Sequence, residues 1–144
     1  MSTKLKINLL SFILVLIMLA SWILNMGLLR FGLTFYLVPL TLPILFIISN
    51  NISCKYFPTS KWIKIVTLIS IITFLPPHLL VADIGDIGKL YLCFGLIVSN
   101  EVAFFTMPIG ITLFFINVVA IVCQLIMAIV LKSASRKESS ISKE

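Results

Sequence analysis

The stretch "LIVSNEVAFFTMPIG", residues 96–110, decides how this chain folds, because it places the polar triplet Ser99–Glu101 inside a long apolar run. That run covers residues 90–131 and carries no charge apart from Glu101. A helix rises about 1.5 Å per residue and the hydrocarbon core of a bilayer is about 30 Å thick, so one crossing takes roughly 20 apolar residues. The run is therefore long enough for two crossings, or for one crossing and a further element.

The composition points to a membrane protein. Hydrophobic residues make up 60% of the chain and charged residues only 11%, whereas soluble domains keep roughly a quarter of their residues charged. Three further windows, 7–29, 31–54 and 65–82, are free of charge. The net charge of +6 comes from basic residues at the edges of these windows rather than from a patch interleaved with aromatic residues. We therefore expect the lipid bilayer as a partner and no binding of nucleic acid.

These windows predict an all-α, polytopic bundle of transmembrane helices that forms one domain over residues 1–131. Residues 90–107 are predicted to form an outer interfacial or re-entrant segment, with a full fifth span as the alternative. Pro76 and Pro77 are expected to kink or unwind the end of the third span. Residues 132–144 are predicted to be a disordered basic cytoplasmic tail. The four predicted spans are 7–26, 31–49, 62–80 and 108–131.

The distribution of basic residues favours four crossings. With the N-terminus inside, nine of the eleven Lys and Arg residues lie on the inner side, and only Arg30 and Lys89 lie outside. This matches the positive-inside bias, whereas five crossings give a split of five against six. Both termini are therefore predicted to be cytoplasmic, in a bacterial-type cell inner membrane. The nine inner residues are Lys4, Lys6, Lys55, Lys61, Lys64, Lys132, Arg136, Lys137 and Lys143.

Small and polar residues recur at helical spacing in three of the spans. In lipid, small residues allow close helix approach, and amide side chains bridge helices with about 0.6 to 2 kcal/mol each. We predict that these stripes face the bundle interior and that Asn117 and Gln124 are helix-packing residues, with a polar substrate path as the alternative. The stripes are Thr106, Gly110, Leu113, Asn117, Ala120, Gln124 and Ala128; Ser11, Met18, Ser21 and Asn25; and Thr67, Ser70 and Thr73.

Glu101 does not fit the stripe of the last span. On one continuous helix it lies about 160° around the axis from Asn117, so it would face lipid. An ionised carboxylate at membrane depth is costly. Either the helix breaks near Pro108 or Glu101 is not at membrane depth, and we predict that Glu101 sits at the outer boundary between membrane and water.

At that boundary Glu101 is expected to begin or flank a helix, where the helix dipole favours a carboxylate. Ser99 and Asn100 are expected to accept hydrogen bonds from free backbone donors nearby. His78 and Lys89 lie on the same predicted side of the bilayer and are the expected charge partners of Glu101.

The sequence lacks the common catalytic, nucleotide-binding and metal-binding motifs. It contains no HExxH, GxSxG or Walker loop, and its three cysteines have no metal-ligand spacing. We predict no catalytic, cofactor-binding or metal-binding residue and no enzymatic activity. His78, which follows two prolines, is interpreted as an interfacial or capping histidine. "ADIGDIGK", residues 82–89, is interpreted as a solvated turn, and Arg30 as part of a tight turn between the first two spans.

The function expected from these features is that of a small multi-pass membrane protein that binds or regulates a membrane partner, as an accessory or immunity protein does. So little of the chain lies outside lipid that extramembrane chemistry has no room. The alternative is a small oligomeric transporter or channel-like protein with Glu101 as its titratable group. The candidate functional or helix-packing residues are Glu101, His78, Asn117 and Gln124, and the expected partner is a membrane protein or a second copy of the chain.

Overall fold

Helices dominate the described part of the chain. The computed structural model describes residues 2–24, 28–35, 38–84 and 90–141. A small antiparallel sheet is added to the helices, which the all-α prediction did not include. The helices are α1 (Thr3–Leu24), α2 (Leu28–Phe35), α3 (Val38–Ser53), α4 (Lys61–Leu80) and α5 (Asn100–Ile141), and the strands are β1 (Asp83–Ile84), β2 (Leu90–Leu92) and β3 (Ile97–Val98).

Three helices are long and apolar enough to cross a membrane: α1, α4 and the Asn100–Ser135 part of α5. Helices suit this environment because lipid offers no partners to backbone N–H and C=O groups. Ser60 caps α4 by accepting a hydrogen bond from the Ile63 N–H. Pro76 and Pro77 do not unwind the end of α4, which stays helical to Leu80.

The second predicted span, 31–49, is covered by two helices instead of one. Helix α2 ends at Phe35 and α3 begins at Val38, and residues 36–37 lie outside the described part of the chain. Helix α3 then continues to Ser53, past the predicted end. At 16 residues, α3 alone rises about 24 Å, which is less than the thickness of the hydrocarbon core.

Of the two possibilities for Glu101, the helix break near Pro108 is wrong, as is the predicted start of the last span at residue 108, because α5 is one helix from Asn100 to Ile141. Residues 90–107 therefore form two strands and the beginning of α5, and the run 90–131 contains no second membrane-length helix. A proline in the interior of a helix costs about 3 kcal/mol. Contacts made by the α5 residues that precede Pro108 offset this cost. Ala103 is fully buried against Ala82 and Leu92, and the Thr106 hydroxyl donates to the Leu80 carbonyl over 3.2 Å.

The last residues also differ from their prediction. Residues 132–141 continue α5 as helix instead of forming a disordered tail. Residues 142–144 lie outside the described part of the chain, as do Asn25 and Met26 at the end of the first predicted span.

The sheet has the strand order β1-β2-β3 and closes one end of the bundle. Between β2 and β3, the three residues Cys93, Phe94 and Gly95 have positive φ angles of 48°, 63° and 76°, and the Leu96 N–H donates to the Cys93 carbonyl over 3.2 Å. Positive φ is uncommon for residues other than glycine, so Cys93 and Phe94 hold an unusual backbone conformation in this turn. The Cys93 N–H donates to the Leu79 carbonyl over 3.1 Å, which fixes the hairpin on the end of α4. We call this end of the bundle the sheet end.

The opposite end, which we call the lysine end, carries the start of α1, the end of α3 and the start of α4. Between the two ends lies an apolar layer in which Met18, Phe46 and Phe74 are completely buried. The rings of Phe46 and Phe74 stack with their centroids 3.9 Å apart. This layer belongs to the main core cluster, which also contains Val15 and Ile121.

Gly110 brings α5 into close contact with the end of α4. A Cβ atom added there would lie 2.8 Å from Val81 Cγ2 and 3.2 Å from the Val81 backbone nitrogen. We expect Gly110→Ala to lower the free energy of unfolding by about 1 to 3 kcal/mol, as overpacking does. Thermal melting in detergent measures it.

Gly32 in α2 supplies the matched control, because no atom lies within 4 Å of an added Cβ there. Gly32→Ala is expected to be neutral or to stabilise the protein by up to about 1 kcal/mol. Equal melting temperatures for Gly110→Ala and the parent chain would contradict the close contact.

Candidate functional site

At the sheet end of the bundle, the last carbonyl groups of α4 accept hydrogen bonds from residues of other helices and strands. Carbonyl groups in the last turn of a helix have no helical donor and need other partners when they are buried. The Leu79 carbonyl accepts from the Cys93 N–H, and the Leu80 carbonyl accepts from Thr106. The His78 carbonyl accepts from the Ser21 hydroxyl over 2.8 Å, which joins α1 to α4.

Arg30 is the centre of this arrangement. Its side chain is only 5% exposed. Its Nη1 donates to the Ser21 carbonyl over 2.7 Å, and its Nη2 donates to the carbonyls of His78 and Val81 over 2.8 and 3.1 Å. The guanidinium also lies 5.7 Å from the centre of the Trp22 ring. A buried cation at the end of α4 is favoured by the negative pole of the helix dipole.

Asp83 balances the charge of Arg30. Its carboxylate is 1% exposed, and its Oδ2 accepts from the Arg30 N–H over 2.9 Å and lies 4.0 Å from Arg30 Nε. A buried ion pair is tolerated only where further hydrogen bonds satisfy its remaining donors and acceptors. Here the carbonyls of Ser21, His78 and Val81 accept from the Arg30 guanidinium. Ser21, Arg30, His78 and Asp83 are called the sheet-end cluster below. Their positions correct two interpretations: Arg30 lies in α2 and not in a tight turn, and Asp83 is buried and not part of a solvated turn.

His78 is not the interfacial residue that the sequence predicted, because its side chain is 7% exposed and lies among rings of the interior. Its ring centre is 5.5 Å from that of Phe74 and 6.4 Å from that of Trp22. The Nε2 atom is buried and has no hydrogen-bond partner among the described residues. No ion pair joins His78 to Glu101, although both side chains are described.

Glu101 lies in the first turn of α5 with its side chain exposed. The Ser99 hydroxyl accepts from the Val102 N–H over 3.4 Å, and the Asn100 side chain accepts from the Leu90 N–H over 3.1 Å. The prediction that Glu101 begins a helix, with Ser99 and Asn100 accepting from nearby backbone donors, is therefore confirmed: Ser99 caps α5, and Asn100 bonds to strand β2. Lys89, its other predicted charge partner, lies outside the described residues.

Asn117 and Gln124 face the interior, as predicted, with exposures of 1% and 0%. Gln124 Nε2 donates to Asn50 Oδ1 over 2.8 Å and to Thr67 Oγ1 over 2.9 Å. Asn50 in turn donates to the Ser11 hydroxyl over 2.9 Å. This chain of hydrogen bonds, which we call the polar network, joins α1, α3, α4 and α5 on the lysine side of the apolar layer.

Asn117 adds a second bridge between α4 and α5. Its Nδ2 donates to the Ser70 carbonyl over 2.7 Å and to the Thr73 hydroxyl over 3.2 Å. The described residues of all three predicted polar stripes are buried or half-buried. The carbonyl oxygens of both Asn117 and Gln124 have no hydrogen-bond partner in the described part of the chain.

Cys54, which follows α3 directly, is buried. Burial raises the pKa of its thiol, and nearby Lys4 opposes that change. The thiolate is the reactive form of cysteine, so the raised pKa disfavours Cys54 as a nucleophile.

The site holds one buried ion pair and one histidine with an unpartnered nitrogen. Within the described residues, no three His, Cys, Asp or Glu side chains are grouped as a metal site requires. Comparison of the chain with protein-family models, with curated proteins and with solved structures finds no match.

Sequence reasoning missed Arg30, Asp83 and Asn50 as members of the site. A signal for Arg30 was available, since it is the only charged residue between residues 7 and 54. An ionisable residue inside apolar sequence usually has a buried partner and a specific role. Asp83 gave no such signal, because acidic residues next to glycine are common in solvated turns.

Proposed function

We propose that this chain is a multi-pass protein of a bacterial-type inner membrane that performs no catalysis and acts by binding a membrane-protein partner. Its role is of the accessory or immunity type, in which the bound partner is regulated. The observation that carries the proposal is an exposed apolar face at the sheet end. That face comprises Leu96, Phe104 and Phe105, which are 81%, 83% and 74% exposed.

The proposed topology has four crossings, formed by α1, by α2 and α3 together, by α4 and by α5. Contacts at both ends of the second segment support counting it as one crossing. Arg30 donates to the Ser21 carbonyl at the sheet end, and Asn50 donates to Ser11 on the lysine side of the apolar layer. Arg30 and Asn50 thus lie beside the two ends of the Ser11–Ser21 part of α1, which are about 15 Å apart along the helix.

The orientation places the lysine end and both termini in the cytoplasm. Lysine side chains at that end are exposed, for example Lys4, Lys61 and Lys64. Arg30 is buried and paired with Asp83, so it contributes little positive charge to the outer surface. The positive-inside bias of the sequence is then stronger than a residue count suggests.

Topology is tested by labelling and by a fusion. After Cys54, Cys93 and Cys123 are replaced, we expect Glu101→Cys to react with a membrane-impermeant thiol reagent added from outside. Gln124→Cys on the same helix is the control and should stay unreactive, because this position is fully buried. A reporter fused after Glu144 should give a cytoplasmic signal, and an external signal there would rule out four crossings.

The interior favours binding over transport. Met18, Phe46 and Phe74 are completely buried and separate the polar network from the sheet-end cluster. A polar substrate would have to displace the stacked rings to pass through one copy of the chain. Glu101, the titratable group of the transport alternative, is exposed and lies on the opposite face of α5 from Asn117.

The exposed apolar face lies at the outer boundary of the proposed bilayer. The 20 residues of α4 rise about 30 Å, so Leu80 is level with the outer limit of the hydrocarbon when Lys61 is at the inner one. Thr106 is hydrogen-bonded to Leu80, which supports a position of Phe105 near that limit. Large exposed apolar patches outside hydrocarbon are typical of protein-binding surfaces.

Site-specific photo-crosslinking tests this surface. We expect a photoactivatable phenylalanine analogue at Phe105 to give one discrete protein adduct in intact membranes. The same analogue at Phe115, which is exposed on α5 at bilayer depth, is the matched control and should give lipid adducts only. Lipid adducts alone at both positions would refute the proposal, and an adduct of twice the chain mass would favour the oligomeric transporter.

A further inference from the structure

Glu101 shares one side of α5 with two residues of the exposed apolar face. Residues three and four positions apart lie on the same side of a helix, with Cβ atoms about 5 to 6 Å from each other. Phe104 and Phe105 follow Glu101 at these two spacings, and all three side chains are exposed. A protein surface that covers both rings therefore also covers the carboxylate.

The described residues supply no cation for this carboxylate. The ion pair that they form joins Arg30 to Asp83 and does not include Glu101. The basic residues that the structure describes at the sheet end are Arg30 and His78, and both are buried in the interior. Lys89 lies outside the described residues and is tested separately by substitution. Within the described ranges, Glu101 is thus an exposed anion without an ionic partner.

Binding of a partner changes the surroundings of Glu101. The exposed carboxylate is hydrated in the free protein, and a partner that covers Phe104 and Phe105 removes part of this water. Loss of hydration disfavours a charged group unless an opposite charge or hydrogen-bond donors replace the water. Hydrogen bonds between a carboxylate and Lys or Arg are stronger than those between neutral groups. The surface that fits this face is therefore apolar with one basic residue.

The height of Glu101 above Phe105 also restricts the partner. Four residues of helix separate them, so Glu101 lies about 6 Å farther along the axis of α5. In the proposed topology Phe105 is near the outer limit of the hydrocarbon, which puts the carboxylate in the headgroup layer. Lys and Arg are stable at that depth, whereas apolar side chains are stable just below it. A transmembrane helix that ends in Lys or Arg has this order of residues.

From these observations we propose that the exposed apolar face binds the outer end of a transmembrane helix of a different protein, whose terminal Lys or Arg pairs with the Glu101 carboxylate. Apolar side chains of that helix cover Phe104 and Phe105. This inference rests on the proposed function, because it names the chemistry of the partner at the same face. Charge complementarity of this kind selects among partners more than it adds affinity.

Photo-crosslinking at Phe105 in variants of Glu101 tests the ion pair. Membranes are solubilised in mild detergent and diluted before irradiation, so that the yield of the protein adduct depends on affinity. We expect Glu101→Gln to lower the yield about fivefold, as loss of an ion pair at the edge of an interface does. Glu101→Lys should lower it at least about tenfold, because like charges then oppose each other. Glu101→Asp keeps the charge and should keep most of the yield.

Salt provides a second readout that a purely structural role of Glu101 would not change. Ions in solution screen an exposed ion pair, so high salt should lower the yield of the parent chain to that of Glu101→Gln. The yield of Glu101→Gln itself should not depend on salt. Lys64→Gln removes an exposed charge at the lysine end and is the matched control, with an unchanged yield. Equal melting temperatures show that the variants are folded.

Exchange of the two charges completes the test. Mass spectrometry of the adduct locates the Lys or Arg of the partner that lies next to Phe105. Replacement of that residue by Glu should lower the yield with the parent chain and restore it with Glu101→Lys.

Three results would overturn the proposal. Equal adduct yields from the parent chain, Glu101→Gln and Glu101→Lys would refute the ion pair and leave the proposed function in place. Lipid adducts alone from the parent chain would refute both. An adduct of twice the chain mass, with a yield that Lys89→Gln lowers, would assign the cation to a second copy of this chain.

Discussion

Arg30→Met is expected to lower the free energy of unfolding by about 3 to 5 kcal/mol, because removal of one partner leaves a buried charge uncompensated. The Asp83 carboxylate is 1% exposed and would lose its cation. The carbonyls of Ser21 and Val81 would lose their donors in the same step. Thermal melting in detergent and the amount of protein in membranes are the measurements.

A double-mutant cycle separates the charge from the packing of the side chain. Asp83→Asn removes the charge but keeps an oxygen for the Arg30 backbone N–H, so Arg30→Met with Asp83→Asn should lose less than the sum of the single losses. Lys64→Met, at an exposed position of the lysine end, is the control and should change stability by less than about 0.5 kcal/mol. A melting temperature of Arg30→Met equal to that of the parent chain would contradict the role assigned to the cluster.

The second large effect is expected in the polar network. Asn117→Leu combined with Gln124→Leu should weaken helix association by about 1 to 3 kcal/mol in total. Gln124→Leu should account for more of the loss, because it leaves Asn50 Oδ1 without its donor in the interior. Asn117 bonds mainly to a backbone carbonyl and a hydroxyl that have partners within α4.

Detergent-dependent melting measures this loss too. Val122 and Ile126 are exposed on the same helix, so their replacement by leucine is the matched control and should leave the melting temperature unchanged. An unchanged melting temperature of the double variant, with lipid-phase labelling of cysteines at both positions, would mean that the stripe faces lipid.

The interior face of the helices could be predicted from the sequence because it is periodic. Gly110, Asn117 and Gln124 follow one another at multiples of the helical repeat, and lipid leaves such residues no favourable place except another helix. The cap of α5 by Ser99 could be predicted for a similar reason, since the preference of a serine for this position is local.

Elements that depend on distant contacts were mispredicted. Pro108 argued for a helix break, and only the contacts of Ala103 and Thr106 with the sheet end show why the helix begins earlier. The pairing of Arg30 with Asp83 spans 53 residues. Nothing local at either position reveals the other, so the sheet-end cluster could not be derived from spacing or composition.

The same separation has a consequence for biogenesis. The acceptors of Arg30 beyond Ser21 are His78, Val81 and Asp83, which emerge during synthesis about 50 residues later. Until then, the Arg30 side chain is a permanent cation that lacks most of its final hydrogen-bond acceptors. Transfer of such a cation into lipid costs about 2.5 to 3.5 kcal/mol. In the proposed topology, the first two segments are therefore a poor insertion unit by themselves. Arg30 is expected to stay near the membrane surface or the insertion machinery until α4 arrives, which makes the order of membrane integration depend on the fourth helix.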